Sequence, residues 1–88
     1  MGHYQKLYKK IRNNKRSVRF EDLNTLMTKV GGFECRQGDG DHYVFSHPDL
    51  SYHISVDCRG KREPLLIVYV LKSLKAFDEV NASFTEED

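Results

Sequence analysis

The stretch HYVFSHPDLSYHISVDC, residues 42–58, alternates apolar and polar side chains twice, once on either side of a proline. A period of two marks a strand with one buried and one wet face. Two such runs predict a hairpin, HYVFSH against SYHISVDC. Pro48, Asp49, Leu50 and Ser51 would form its loop, the proline pre-setting a turn. Pairing apolar with apolar sets the register: Tyr43 opposite Val56 and Phe45 opposite Ile54. A slip of one residue would set each apolar side chain against a polar one. The other face then carries His42 opposite Asp57, Val44 opposite Ser55 and Ser46 opposite His53. The strand buries its aromatics, and His42 points outward with a carboxylate across from it.

Working outward, GDGD at residues 38–41 reads as a flexible β-turn, and FECRQ before it as a third strand. Gly38 and Gly40 do not form a phosphate cradle, because no GxxxxGK[ST] pattern follows and the next element is a strand. Upstream, HYQKLYKKIRNN places Tyr4, Leu7, Tyr8 and Ile11 at i, i+3, i+4, i+7, an amphipathic helix with a basic opposite face. RFEDLNTLMTKVGG repeats the spacing with Leu23, Leu26, Met27 and Val30. Acids in its first turn and Lys29 in its last suit the helix dipole, and Gly31–Gly32 ends it. Downstream, PLLIVYVLKSLKAF predicts a last helix, with Pro64 in its first turn and Ile67, Val70, Leu71, Leu74 and Phe77 at helical spacing. The order α–α–β–β–β–α implies an α+β fold: a three-stranded antiparallel sheet with helices packed on one face. One domain is expected over residues 1–80, followed by a frayed acidic tail over 81–88.

Composition narrows the class. The chain has 88 residues, 39% of them hydrophobic and 31% charged, enough for one small core beneath a wet surface. No apolar run reaches a membrane span or resembles a secretory leader, so a cytoplasmic protein with no membrane partner is expected. Cys35 and Cys58 lack metal-ligand spacing and read as small hydrophobes on strands, a bridge between neighbouring strands being the alternative. The net charge of +1 hides an asymmetry: residues 1–20 hold seven Lys and Arg and no acid, and the last eleven hold five acids and no base. Residues 1–77 carry 14 basic against 8 acidic groups, or +6. A polyanionic partner fits that balance; so does a merely solvated basic end.

Gly40-Asp41-His42-Tyr43-Val44-Phe45-Ser46-His47-Pro48, behind a Leu-rich helix ending in Gly-Gly-Phe, resembles the motif of the HicA toxins of bacterial toxin–antitoxin pairs. These are small mRNA interferases with a fold like the double-stranded-RNA-binding domain. The likeness covers roughly residues 6–77, and PLLIVYVLKSLK is similar to the family's last helix. Gly40, His42, Phe45, His47 and Pro48 match; Asp41 stands for the usual serine and Tyr43 for the second histidine. The resemblance implies an endoribonuclease that cuts mRNA, catalysis by His42, and silencing by a separate HicB-like antitoxin chain.

The chemistry suits that implication. Metal-free ribonucleases use RNA's own 2′-OH as nucleophile, and an imidazole with an ordinary pKa of about 6.5 can take and return its proton. No cofactor is expected. Asp57 would orient the ring and favour its charged form, Asp41 would tune it or repel substrate, and Arg36, Arg59, Lys61 and Arg62 would hold phosphates. His47 is expected to shape the turn before Pro48 and His53 to be a solvated strand residue. Alternation separates His47 from His42 and His53, which argues against a zinc trio. Two non-enzymatic alternatives stand beside the nuclease: an RNA-binding module of the same fold, supported by Asp41, and a protein adaptor using exposed strand edges.

Overall fold

The computed structural model describes residues 2–58, 63–82 and 84. Helix α1 spans His3–Asn13, a 3-10 turn follows at Lys15–Ser17, and α2 (Phe20–Thr25) continues into a π-helical turn, Leu26–Val30. Strands β1 (Glu34–Gln37), β2 (His42–Ser46) and β3 (Ile54–Asp57) precede α3, Ile67–Val80. The sheet is antiparallel in the order β1-β2-β3. The α+β class, the chain order and the sheet are as the sequence predicts.

The hairpin register is the expected one: His42, Tyr43, Val44 and Phe45 face Asp57, Val56, Ser55 and Ile54. Phe45, Ile54 and Val56 are sealed from solvent, in one cluster with Ile11, Leu23, Leu26, Met27, Val70 and Phe77 from the helices. Two details of the hairpin differ from expectation. The ladder stops at Phe45–Ile54, so Ser46 and His53 are not a pair, and the connection runs from His47 to His53 rather than over four residues. Its turn is closed by the Leu50 amide donating to the His47 carbonyl at 3.0 Å. Polar Tyr52 and His53 are both exposed, so nothing on the inner face pulls them into the ladder.

The helices refine the predicted stripes. Tyr8 and Ile11 are buried, whereas Tyr4 is 42% exposed and lies outside the core. Pro64 precedes α3 rather than opening it, because the Leu65 amide donates to the Val18 carbonyl at 2.8 Å and holds that stretch extended. On α3 the buried face is Val70, Ser73, Leu74, Ala76 and Phe77; Leu71, expected in the core, is 46% exposed. Within the stretch after Val80, Phe84 packs edge-on against Tyr8 and Phe77, at 5.8 and 5.6 Å between ring centres. Neither Cys35 nor Cys58 takes part in a disulfide. They sit on β1 and just beyond β3, with β2 between them, so the alternative of a bridge between neighbouring strands does not arise. Burial pushes the Cys35 thiol up. No helix among the described residues is long and apolar enough to cross a membrane.

α1 and α3 are clamped by a small polar network. The Tyr8 hydroxyl donates to Asp78 Oδ1 at 2.8 Å and accepts from Arg12 Nη1 at 3.0 Å, while Arg12 also reaches Asp78 Oδ2 at 3.0 Å. Burial, then the Asp78 carboxylate, push the Tyr8 hydroxyl up to about 12. A phenol that holds its proton more tightly when folded contributes stability below its unfolded pKa near 10. That contribution is lost as pH rises through the folded value. Tyr8→Phe is therefore expected to flatten the loss of stability between about pH 10 and 12, read by urea melts across that range.

Two glycines make a second test. A Cβ on Gly31 would stand 2.8 Å from the Met27 carbonyl oxygen and 2.9 Å from the Phe77 ring. One on Gly40 would meet nothing within 4 Å, although its φ of +61° is left-handed. Gly31→Ala should cost about 1–3 kcal/mol by overpacking, and Gly40→Ala about 1–2 kcal/mol by backbone strain alone. Only the first should disturb the Phe77 ring signals in an NMR spectrum.

Candidate active site on the open sheet face

His42 owes its position to the loop before it. The Gly38 amide donates to the His42 carbonyl at 2.8 Å, the His42 amide to the Asp39 carbonyl at 3.2 Å, and Gln37 Nε2 to the Gly40 carbonyl at 3.1 Å. Gly40 supplies the left-handed residue this tight reversal needs. The loop thus delivers His42 as the first residue of β2, on the face opposite Phe45, and its side chain is exposed.

The ladder phase brings Asp57 close. The Cys58 amide donates to the Asp41 carbonyl at 2.9 Å, which makes His42–Asp57 a non-hydrogen-bonded pair. In such pairs the Cα atoms stand about 4.5 Å apart and the side chains lie closer than in hydrogen-bonded pairs. Asp57 is half-buried; no hydrogen bond or ion pair joins it to the ring among the described residues. Asp41 is exposed, one residue before His42.

Positive charge on this face comes from Arg36. It lies opposite Val44 and so diagonal to His42, roughly 7–8 Å away at the backbone. It is exposed and also touches Glu34, Nη2 to Oε1 at 3.3 Å. Arg59, Lys61 and Arg62 lie outside the described residues. Of the basic N-terminal set, Lys10 pairs with Asp22 at 3.3 Å and Arg12 with Asp78 at 3.0 Å. Asp78 is thereby a structural anion of α3.

The other residues of the motif are structural. Tyr43, where the HicA pattern has a second histidine, faces inward and packs at a tilt against Phe20 with ring centres 4.2 Å apart. His47 packs against Phe33, and its Nδ1 accepts the Asp49 amide at 3.0 Å, so the neutral ring carries its proton on Nε2. That is the turn-shaping role expected of it. His53 is exposed just before β3. Among the described residues no three His, Cys, Asp or Glu side chains converge as a cation site would require.

Sequence reasoning missed a second polar surface. Tyr52, His53, Ile54 and Ser55 form one wall of a groove of about 520 Å³, and Tyr69, Lys72, Lys75 and Glu79 the other. Its one legible sign is that Tyr69, Lys72 and Lys75 recur every three residues, off the stripe of Val70, Leu74 and Phe77.

Comparison with protein-family models, with curated proteins and with solved structures finds no match to this chain. The site's accessibility has a direct chemical readout. Under diethylpyrocarbonate, His42 and His53 should acylate at similar rates and His47 several-fold more slowly, as mapped by mass spectrometry of the digested protein. Fast reaction at His47 would contradict its packing.

Proposed function

We propose that this chain is a metal-independent endoribonuclease of the HicA type, a toxin that cleaves mRNA and is silenced by a separate HicB-like antitoxin. The observation that carries the reading is the exposure of His42 on the open sheet face, cross-strand from Asp57 and diagonal to Arg36. Its resemblance to the HicA motif supplies the substrate class, and the α+β class of the fold supports the reading.

In this reading His42 takes the proton from a 2′-OH as that oxygen attacks the adjacent phosphorus. A 2′-O–P bond forms and the P–O5′ bond breaks, leaving a 2′,3′-cyclic phosphate and a 5′-OH that recovers a proton from the imidazolium. Asp57 stabilises the imidazolium between the two transfers. Arg36, with Arg59, Lys61 and Arg62, offsets charge on the crowded phosphorus. An exposed site of this kind draws its rate from proton transfer and one or two cations, so slow turnover is expected.

A non-catalytic RNA-binding module is the second reading, favoured by the Arg36–Glu34 ion pair and by the Asp41 carboxylate beside the phosphate path. One assay separates the two. With EDTA present, the wild-type protein should cut RNA. His42→Ala should slow it by about 10²- to 10⁴-fold without loss of fold, and Asp41→Ser should raise both affinity and rate. Cutting by His42→Ala at the wild-type rate would end the catalytic assignment. A protein that shifts RNA in a gel yet leaves it intact would establish the module instead.

A further inference from the structure

Among the described residues β3 is an edge strand, paired with β2 on one side only. The Cys58–Asp41 bond sets its phase, so Ile54 and Val56 direct their main-chain groups at β2 while Ser55 and Asp57 direct theirs at the free edge. Edges left this way are usually guarded by proline, lysine or a bulge. The residues Ile54–Asp57 contain neither proline nor lysine. Instead, the edge borders the groove of about 520 Å³ whose far wall is α3.

That wall is basic. Lys72 and Lys75 are exposed and line the groove with His53, while the one acid there, Glu79, accepts the Tyr52 hydroxyl at 3.1 Å. Tyr52 and Tyr69 provide apolar surface. Side chains at alternate positions of an extended segment are about 6.8 Å apart on one face, a spacing two flexible lysines one helical turn apart can match.

We propose that the β3 edge and the lysine flank of α3 together take an extended acidic segment of a partner polypeptide, added as a fourth strand. Ser55 and Asp57 supply the main-chain hydrogen bonds. Lys72 and Lys75 receive carboxylates at alternate positions, and the tyrosines take the apolar residues between. A nucleic acid would use the lysines but leave the edge amides unpaired, so the backbone favours a peptide. The surface shares no residue with the His42 site apart from the neighbouring Asp57 main chain.

The probe is a short end-capped peptide alternating glutamate and valine, compared with its lysine–valine counterpart and with a single-stranded oligoribonucleotide. The acidic peptide should shift the Ser55, Asp57, Lys72 and Lys75 amides in NMR spectra and slow hydrogen exchange at Ser55 and Asp57. Reversing both lysines, Lys72→Glu with Lys75→Glu, should weaken it about tenfold or more. N-methylation at alternate peptide amides should do the same on wild-type protein, with no risk to its fold. His42→Ala should bind as wild type does, which keeps this result apart from that of the nuclease assay. Equal binding of the lysine peptide would overturn the proposal. So would protection of these amides by the oligoribonucleotide alone, or by self-association through β3 in sedimentation.

Discussion

Phe45 and Ile54 face each other across β2 and β3, both closed off from water, and three helices converge on the surface they create. A sheet of four- and five-residue strands has little stability of its own, so one of its faces must be hidden against other elements. Once Phe45, Ile54 and Val56 are committed inward, alternation leaves no choice for their neighbours. His42, Val44, Asp57, Ser55 and Arg36 go to the other side, and the polar character of that face follows from the burial of its opposite.

The helices meet that demand unequally. α2 and the π-helical turn that continues it contribute Leu23, Leu26 and Met27, each fully sealed, and α3 contributes Val70, Leu74 and Phe77. α1 adds two aromatic and aliphatic anchors, Tyr8 and Ile11, and a clamp in which one carboxylate, Asp78, satisfies both a phenol and a guanidinium. That clamp changes how the charge asymmetry should be read. Part of the basic N-terminal set is consumed within the fold, and so is Asp78, one of the acids counted at the other end. What remains for a polyanion is smaller than the sequence count suggests.

Much of this was legible in advance, for a local reason. The hairpin register and the outward turn of His42 depend on a period of two, which the side chains of residues 42–58 carry by themselves. Glycines 31 and 32 ended α2 as a pair with one left-handed member should. The parts that escaped depend on contacts between distant residues. Pro64 falls outside α3 because Leu65 is bonded to Val18, and Phe84 is held by Tyr8 as well as Phe77; Val18 and Tyr8 are both far away in sequence. Leu71 matches the core spacing yet faces solvent, since α3 lays down a face centred on Val70, Leu74 and Phe77. At the site, the placement of His42 and the identity of its cross-strand neighbour could be read. The absence of a bond between them, the Glu34 partner of Arg36 and the groove beside α3 could not, because each depends on rotamers or on two segments meeting.

The π-helical turn at Leu26–Val30 has one more consequence. The Gly31 amide reaches back to the Leu26 carbonyl at 2.9 Å, spanning five residues where a regular helix spans four. The second helix therefore contains one residue of slack, carried as a wider turn of backbone. Both of its ends are pinned independently, by Leu23 at one and by the Gly31–Phe33 reversal at the other. In any lineage descended from this chain, single-residue length variation is expected to accumulate at that swelling, which can relax into an ordinary coil of the helix. The first and third helices lack such a reservoir, and there the same deletion would rotate every anchor downstream.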